Sequence, residues 1–513
     1  MSSVLVHRAS LATLPAPTPA AWRADLVASL EAGRRILTLY GQRRSPARSG
    51  PLHPDAGSQQ SQWSDPARGS EVVLTAVLQD DDGGLRFSRT SLGDDDVYVE
   101  LTSQFPALQC FEREVHEQTG LPMPGHPWLK PLRYEGQEQS AMLRHPYYKI
   151  DGKEVHEVAV GPIHAGVIEP GSFRFSCLGE RVHHLEIQLG YQHRGVERRL
   201  LQGDPRRQTP LIETVAGDTS VAWAWAWCAA LERLAGCELA ADVEAGRAVA
   251  LELERVAMHL AGLSGLAADI GFLQGATTWG RLRTTAINTS MRLCGSRFGR
   301  GAVRPGGIGM KLPAELLAVV CANLDLLRND IAIINEHFLK AHTVQHRLCG
   351  AGVLSVEQAR ALGVVGMAAR SSGVGIDTRQ GREQGAYAER PIGSSVLTDG
   401  DCWDRARLRI LEIDASLKWL QATLDAHPRW ESPRQSLQPL QPRSLVVSVV
   451  EGWRGEVVHC LETDDDGGLL HAKVQDPSLR NWMALAIAMR GNDISDFPIC
   501  NKSFDLSYCG NDL

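Results

Sequence analysis

The feature that most constrains the fold is a long run of helical periodicity in the middle of the chain. The stretch VEAGRAVALELERVAMHLAGLSGLAADIGF keeps Leu, Val and Met at helical spacing, with charged residues on the opposite face. The segments AELLAVVCANLDLLRNDIAIINEHFLKA and DCWDRARLRILEIDASLKWLQATLDA predict two further helices. Because such helices bury their apolar faces against one another, we expect a helix bundle over about residues 209–425.

Strand patterns flank this bundle on both sides. The segments EVVLTAVLQD, GLRFSRTSL and DDVYVELTSQFP alternate with the turn DDDGG and predict a small antiparallel sheet, followed by a helix over ALQCFEREVHEQTG that ends at Gly120. Near the C-terminus, SLVVSVVEGWRGEVVHCLETDDDGGLLHAKVQD predicts a hairpin laid against the bundle. The predicted fold class is α+β, with a small N-terminal α/β-sheet domain followed by a mainly α-helical bundle domain with peripheral β-hairpins.

A length of 513 residues allows two or three domains, each with its own core. Residues 1–70 are expected to be an N-terminal segment with a flexible linker, because the stretch from about 40 to 70 is rich in Pro, Ser, Gly and Gln. The small α+β domain is expected over residues 71–140 and the helical domain over residues 150–513.

Three tryptophans lie at alternate positions inside a helical pattern. Trp223, Trp225 and Trp227 have a period of two, whereas a helix face repeats every 3.6 residues. We therefore expect at least one of these rings to leave the core face and to meet a partner subunit or a membrane surface.

The composition excludes several classes of protein. A formal net charge of −7 argues against nucleic-acid binding, because no excess of basic residues is present to neutralise phosphates. No apolar run approaches the roughly 20 residues that span a bilayer, and the N-terminal stretch lacks the pattern of a secretory signal. We therefore expect a cytoplasmic protein with reduced thiols. Eleven cysteines are present, yet no two lie at Cys-x-x-Cys spacing.

A resemblance to a known family follows from short stretches spread over residues 161–513. The chain resembles the nickel-iron hydrogenase large subunit and the large quinone-site subunit of respiratory complex I in GPIHAG, GYQHRGVERRL, ELERVAMHLAGLSGLAADIGF, RPGGI, ARSSGVGIDTR, GDCWDRARLRILEI, VEGWRGEVVHC and DPSLRNWMAL. The stretch FEREVHEQTGLPMPGHPWLKPLR resembles the end of the small hydrophilic complex I subunit. In membrane-bound hydrogenases of the formate hydrogenlyase type, that subunit is fused ahead of the large one, as it is here.

The resemblance implies a metal site whose ligands are missing in this chain. Hydrogenases of this family hold the nickel-iron centre with four thiolates in two Cys-x-x-Cys pairs, and those positions fall here on Ala216, Thr219, Ser478 and Asn481. Because a redox-active nickel needs soft sulfur ligands, we expect no metal bound by the chain. The pair Cys500 and Cys509 is too widely spaced to replace them, so these residues are expected to be partly buried free thiols.

The resemblance also implies a quinone site that has lost its usual proton donors. His164 matches the first histidine of the family's hairpin, whereas the second is replaced by Ser172, and the tyrosine of the following helix falls near Gly217. Asp218 and Ser172 are alternative candidates for a proton path or for a different reductant. The candidate catalytic residues are therefore His164, Ser172 and Asp218. Glu213 is a candidate for a proton route, with a structural ion pair as the alternative.

The stretch GYQHRGVERRL is better preserved. In the family its His-Arg pair approaches the iron-sulfur cluster of the neighbouring small subunit, where a positive charge raises the potential of the cluster. This role is assigned to His193 and Arg194. The alternative is an ion network at the start of a helix, formed with Glu197, Arg198 and Arg199.

Together these observations predict a cytoplasmic peripheral-arm subunit of a complex I-like, hydrogenase-related oxidoreductase of the NADH:quinone oxidoreductase type. It is expected to lie on the cytoplasmic face of the inner membrane through its partners, an iron-sulfur small subunit and membrane antiporter-like subunits. Electrons would pass from the partner's cluster to quinone or another acceptor, coupled to ion translocation, with no cofactor bound by the chain except for a transient quinone. Two alternatives stay open: a non-catalytic coupling subunit, and a hydrogenase with an atypical metal site.

Overall fold

The computed structural model describes residues 4–44, 71–80, 83–93, 96–137, 141–142, 145–165, 168–381 and 385–513. The expected linker lies outside the described residues from position 45 onward, whereas residues 40–44 belong to a strand. The division of the chain at residues 70 and 150 stays a prediction.

The described strands form antiparallel sheets. In chain order they are β1 (Leu5–Ser10), β2 (Arg35–Arg44), β3 (Glu71–Gln79), β4 (Leu85–Leu92), β5 (Val155–Val160), β6 (Ser172–Leu178), β7 (Arg181–Gln188), β8 (Val303–Arg304), β9 (Gly307–Ile308), β10 (Ser444–Glu451), β11 (Glu456–Thr463) and β12 (Leu469–Gln475).

The described helices make up most of the rest. In chain order they are α1 (Pro19–Glu31), α2 (Gln109–Thr119), α3 (Val196–Leu200), α4 (Thr209–Ile212), α5 (Ser220–Ala235), α6 (Ala241–Asp269), α7 (Leu273–Cys294), α8 (Ala314–Lys340), α9 (His342–Leu348), α10 (Val356–Ala361), α11 (Gly366–Arg370), α12 (Ala386–Glu389), α13 (Cys402–Ala426), α14 (Pro477–Ala488), α15 (Phe497–Phe504) and α16 (Tyr508–Asp512). Short 3₁₀ turns cover Pro106–Leu108, Pro205–Arg207 and Ile494–Asp496.

The N-terminal sheet has the order β2-β3-β4 and packs against α1 and α2. Its core includes Trp22, Leu74 and Phe111, all buried. Helix α2 ends as the sequence predicts, because Gly120 adopts the left-handed conformation with φ 68° and its N–H donates to the carbonyl of His116.

The third strand expected in this sheet is absent from the described residues, so that expectation is wrong. Over residues 98–102 the chain folds around the buried carboxylate of Glu112 on α2, which accepts hydrogen bonds from the Leu101 and Thr102 amides at 2.8 and 3.1 Å. The Tyr98 hydroxyl donates to the same carboxylate at 2.7 Å. Amides that are bound to a side chain are unavailable to a strand ladder.

The hairpin expected near the C-terminus is part of a larger sheet with the order β1-β10-β11-β12. Every residue of β10 and β11 is buried, so this sheet is more central than a peripheral hairpin would be. The other described sheets are β5-β6-β7 and the two-residue pair β8-β9.

Helix α5 lies between this sheet and α6, and every residue of it except Arg233 is buried. Trp223, Trp225 and Trp227 are all 0% exposed, so the expectation that one ring reaches the surface is wrong. A helix that is covered by a sheet on one face and by helices on another can bury side chains around its whole axis. Tryptophans at every second position can therefore all be buried.

Helices α6, α7, α8 and α13 form the expected bundle. Helix α6 packs against α7 and α13, and α8 packs against α7 and α13. Helix accounts for 45% of the chain and strand for 18%, and the strands lie in several small antiparallel sheets, which confirms the α+β class.

Buried ion pairs fasten the central sheet to this bundle. The Arg255 guanidinium of α6 donates to the carbonyls of Glu451 and Gly452 at 2.5 and 3.1 Å. Arg370 pairs with Glu412 of α13 at 2.8 Å and with Glu451 at 2.7 Å. These contacts fix the turn that follows β10, which carries residues of the site described below.

Candidate functional site

The site lies where the loop of residues 213–219 enters helix α5. The N-cap residue Thr219 makes no side-chain capping bond. Instead, Glu254 of α6 accepts hydrogen bonds from the first helical amides, Val221 at 2.7 Å and Ala222 at 3.4 Å. A carboxylate from a neighbouring helix therefore satisfies amides that would otherwise lack a partner inside the helix.

Next to this helix start, Asp218 and Arg454 form a bidentate ion pair. Arg454 donates from Nη1 and Nη2 to the two carboxylate oxygens at 2.8 and 2.7 Å. Its Nε donates to the carbonyl of Asp505 at 2.5 Å, and its guanidinium lies 3.8 Å from the ring centre of Trp453. Burial alone would raise the pKa of Asp218, but the charge of Arg454 outweighs burial and lowers it. The pair is therefore ionised at neutral pH.

The side chains at the four positions that the resemblance assigns to nickel ligands are already engaged. Ala216 is buried and offers no donor atom. The Thr219 hydroxyl donates to Asp218 at 2.9 Å. Ser478 accepts from the amide of Ser507 at 2.9 Å, and Asn481 exchanges two hydrogen bonds with the backbone of Val365 at 3.0 and 3.1 Å. An alkyl group, two hydroxyls and an amide in these roles do not fit a nickel-iron centre.

The two C-terminal thiols are engaged separately. The Cys500 sulfur lies 3.9 Å from that of Cys402, whereas Cys509 lies 3.6 Å from the Ser507 hydroxyl. Cys500 is buried and Cys509 is partly buried. Within the described residues, no group of three or more His, Cys, Asp or Glu side chains is arranged to hold a metal ion. An atypical metal site would need the Cys500 and Cys509 thiols to converge on one ion. The described part of the chain contains no such arrangement.

Three carboxyl groups of this site have pKa values above their usual range. Burial raises the pKa of Glu254 to about 8, and it also raises the pKa values of Glu213 and Asp476. Glu213 accepts from the Gly301 amide at 2.6 Å. Asp476 caps α14 through the Ser478 amide at 2.8 Å, while its second oxygen has no partner among the described residues. These groups can hold or release protons beside the pair.

The cavity between Asp218 and Glu254 is small. It has a volume of about 10 Å³ and is also lined by Val221, Met258 and Phe298. That space holds about one water molecule, so a ring-sized acceptor would not fit between these side chains without movement.

The candidate residues on the hairpin, His164 and Ser172, have hydrogen-bond partners other than the Asp218–Arg454 pair. The Nε2 atom of His164 lies 2.9 Å from the carbonyl oxygen of Gly171, within the same hairpin. The Ser172 hydroxyl is 2.7 Å from the hydroxyl of Tyr191, to which Gln188 also donates at 3.2 Å. The structure describes no hydrogen bond that joins His164, Ser172 and Asp218, and their catalytic role stays a prediction.

The His-Arg pair is held by the last residues of the chain. His193 Nδ1 lies 2.7 Å from the Asp512 carbonyl, and the Arg194 guanidinium donates to the carbonyls of Thr214 and Val215 at 2.8 and 3.0 Å. Arg194 is exposed. Burial alone would lower the pKa of His193, but its acceptors favour the protonated ring and raise the pKa. The positive charge of Arg194 therefore lies at the edge of the 213–219 loop.

Residue patterns did not identify several members of this site. Arg454 and Trp453 lie in GWRG, a stretch that contributes to the resemblance, but no spacing connects them with Asp218. Glu254 looks like any charged residue on the polar face of a helix. Tyr191 stands two residues before His193, and its proximity to Ser172 depends on the pairing of β6 with β7.

Comparison with known proteins identifies the relatives of the chain. Residues 269–441 match the family described as the respiratory-chain NADH dehydrogenase 49 kDa subunit. The membrane-bound hydrogenase subunit alpha of Pyrococcus furiosus is 27% identical over 364 residues, which cover 68% of this chain and 85% of the relative. Formate hydrogenlyase subunit 5 of Escherichia coli is 27% identical over 434 residues, which cover 80% of this chain and 76% of the relative.

A solved structure agrees at the level of the fold. A chain from the membrane-bound sulfane sulfur reductase, an archaeal respiratory membrane complex, superposes with a TM-score of 0.66 at 22% identity. The match covers 71% of this chain and 100% of that chain.

The chain is therefore similar to complex I subunits and to membrane-bound hydrogenase subunits, which confirms the resemblance expected from the sequence. Its homologues are oxidoreductase subunits of membrane-associated complexes. Across the described residues, no helix combines the length and the apolar character needed to cross a membrane.

Proposed function

We propose that the chain is a peripheral large subunit of a complex I-like, membrane-associated oxidoreductase that works without a nickel-iron centre. In this proposal it assists electron transfer from the iron-sulfur cluster of a partner small subunit to quinone or another acceptor. The observation that carries the proposal is the ionised Asp218–Arg454 pair beside Thr219, one of the positions that the resemblance assigns to nickel ligands. A fixed cation there offers electrostatic stabilisation in place of metal coordination.

The surrounding carboxyl groups supply the protons that such a reaction consumes. Reduction of a quinone to a quinol takes up two electrons and two protons. Glu254, with a pKa of about 8, is largely protonated at neutral pH, and burial also raises the pKa of Asp476. In our proposal these groups hold protons for the acceptor, while Arg454 stabilises the negative charge that develops on it.

Electron entry is assigned to the edge of the site that carries His193 and Arg194. The exposed guanidinium of Arg194 places positive charge at this surface, and the raised pKa of the neighbouring His193 favours a second charge there. Positive charge favours reduction of a nearby cluster in a partner. Coupling to ion translocation through membrane antiporter-like subunits, and a location on the cytoplasmic face of the inner membrane, belong to the same proposal.

A second candidate is a coupling subunit without chemistry of its own. It is favoured by the close packing of the site, where Asp218, Arg454 and Thr219 bind one another and the adjoining cavity measures about 10 Å³. In that case Arg454 would matter for stability and assembly only.

The decisive experiment compares the purified complex with its Arg454→Gln variant in quinone reduction and metal analysis. We expect no stoichiometric nickel, and a fall in kcat of about 100-fold or more for a variant that still assembles. Arg281→Gln serves as the matched control, because Arg281 forms an exposed ion pair with Asp330 on the bundle surface. Unchanged turnover in an assembled Arg454→Gln complex would favour the coupling subunit, and stoichiometric nickel would refute the proposal.

A further inference from the structure

A large cleft opens between the N-terminal sheet and the helical part, and neither Asp218 nor Arg454 is among its lining residues. It has a volume of about 830 Å³, within the size range of small-molecule sites. The turn before β2, the 3₁₀ turn Pro106–Leu108, the end of α10 and the loop of residues 374–381 form its walls, and Arg480 of α14 lines it as well.

The charge that lines this cleft is unbalanced. The described acidic residues that line it are paired, Asp80 with Arg34 at 2.5 Å and Asp377 with Arg379 at 2.7 Å. Arg360 also lines the cleft, is exposed, and forms no ion pair with a described residue. Among the described residues, Arg360 interacts electrostatically with the exposed Glu357 of the same helix, but no carboxylate lies within ion-pair distance of it.

Arg480 carries a second uncompensated charge, at a buried position. The nearest carboxylate, Glu456, is held by Arg35 through two hydrogen bonds at 2.5 and 2.6 Å, and it lies 3.9 Å from Arg480. One Arg480 nitrogen donates to the carbonyl of Ile36 at 2.9 Å, whereas Nε and Nη1 find no acceptor among the described residues. Burial and the neighbouring Arg35 lower the pKa of Arg480 to about 10. A guanidinium so placed stays charged at neutral pH.

The backbone of the cleft allows a ligand to approach this guanidinium closely. Gly363 adopts φ 64°, and a Cβ atom there would lie 3.0 Å from a terminal nitrogen of Arg480. Glycine therefore avoids a side chain against Nη2 of Arg480, the nitrogen that also donates to the Ile36 carbonyl. Phe105 adds a partly buried aromatic ring to the wall, against which a planar group can pack.

We propose that this cleft binds a phosphorylated small molecule of nucleotide size. The phosphate accepts hydrogen bonds from Arg480 on the inner wall and from Arg360 at the mouth, because guanidinium groups match phosphate oxygens in charge and geometry. The remainder of the ligand fills the cleft beside Phe105. The site is independent of the redox role proposed above.

The test is a calorimetric titration of the full chain with pyrophosphate and with ADP, at constant ionic strength. We expect saturable binding of at least one probe with a Kd below about 1 mM. Tighter binding of ADP identifies a nucleotide-like ligand, and equal binding shows that the phosphate group alone is recognised. Absence of saturable binding for both probes overturns the proposal.

Single-residue variants test whether the probes bind in the cleft. Arg360→Gln is at the exposed mouth and should weaken binding about tenfold or more, while Arg281→Gln on the distant bundle surface should leave the Kd unchanged. Arg480→Met should abolish binding, and if that variant fails to fold, Arg360→Gln decides alone. An unchanged Kd for Arg360→Gln would show that the probes bind elsewhere and would refute the proposal.

Discussion

At the scale of single residues, the Asp218–Arg454 pair combines stability with the proposed function. Asp218→Asn removes the charge that neutralises Arg454, whose side chain is 7% exposed. We expect the free energy of unfolding to fall by about 1–3 kcal/mol. The loss should be smaller than the about 3–5 kcal/mol of a fully buried pair, because the Asp218 side chain is 36% exposed and solvent screens it. Urea unfolding at pH 7 measures the difference.

The matched control for this variant is Asp414→Asn, which removes the partner of Lys418 from an exposed pair with side chains 52% and 66% exposed. Exposed pairs on one helix contribute little, so a loss below about 0.5 kcal/mol is expected. Equal losses for the two variants would contradict a special role for the Arg454 pair.

The raised pKa of Glu254 leads to a prediction of how the free energy of unfolding depends on pH. Its pKa is about 8 in the folded protein and near 4.5 in the unfolded chain, so the folded state holds a proton that the unfolded state loses between these values. This contribution therefore favours folding below about pH 4.5, is lost as the pH rises to about 8, and is constant above that. Glu254→Gln should flatten the decrease in stability between pH 5 and 8, as followed by urea midpoints across this range.

Glu336→Gln is the control for the pH series. Glu336 is exposed and bonded to Lys340, which lowers its pKa, so it stays ionised over this range. A Glu254→Gln variant with the same pH slope as the unmodified chain would show that Glu254 does not carry the buried proton.

Much of the candidate site could not have been predicted from the residues alone. Asp218 is recognisable as a candidate for a proton path, but its partner Arg454 lies 236 positions away in the sequence. The contact of Ser172 with Tyr191 likewise depends on strand register rather than spacing. Residue identity predicts which groups are able to bind a proton or a cation, whereas packing decides which of them meet.

At the scale of elements, periodic patterns predicted the long helices well. The three expected bundle helices are present as α6, α8 and α13, and Gly120 ends α2. The strand expected over residues 97–105 failed because Glu112, from the following helix, binds its amides. The spacing of the tryptophans in α5 wrongly predicted an exposed ring, because two layers cover that helix. A short stretch of sequence does not show which elements pack around it.

The buried position of helix α5 leads to the prediction that removing a large side chain from it lowers the free energy of unfolding strongly. Trp225→Ala removes an indole that is 0% exposed between the central sheet and the bundle, and it should lower the free energy of unfolding by about 3–5 kcal/mol. Leu273→Ala is the control, since Leu273 is 69% exposed and should cost less than about 0.5 kcal/mol. A loss of similar size for both variants, measured by urea unfolding, would contradict the buried position of α5.

At the scale of the whole molecule, the two ends of the chain are joined in one sheet. Strand β1 pairs with β10 over six residues, with Leu5 opposite Val449 and Ser10 opposite Ser444. The separation of over 400 residues explains why this pairing could not be predicted from local patterns, because the short mixed sequence of β1, LVHRAS, indicates no partner strand. Arg35 adds a further link through its ion pair with Glu456 on β11.

Strand β1 covers the edge of the central sheet, and this role leads to a prediction for the whole chain. Leu5 and Val6 pack from this strand onto different core clusters. Replacing both with lysine should expose the backbone of β10, which would become an edge able to pair with another chain. We expect a loss of about 1–3 kcal/mol in the free energy of unfolding, together with concentration-dependent association in size-exclusion chromatography. Ser10→Lys on the same strand should change neither the free energy of unfolding nor the association, because Ser10 is exposed. A double variant that stays monomeric and fully stable would show that β10 does not need β1 to cover its edge.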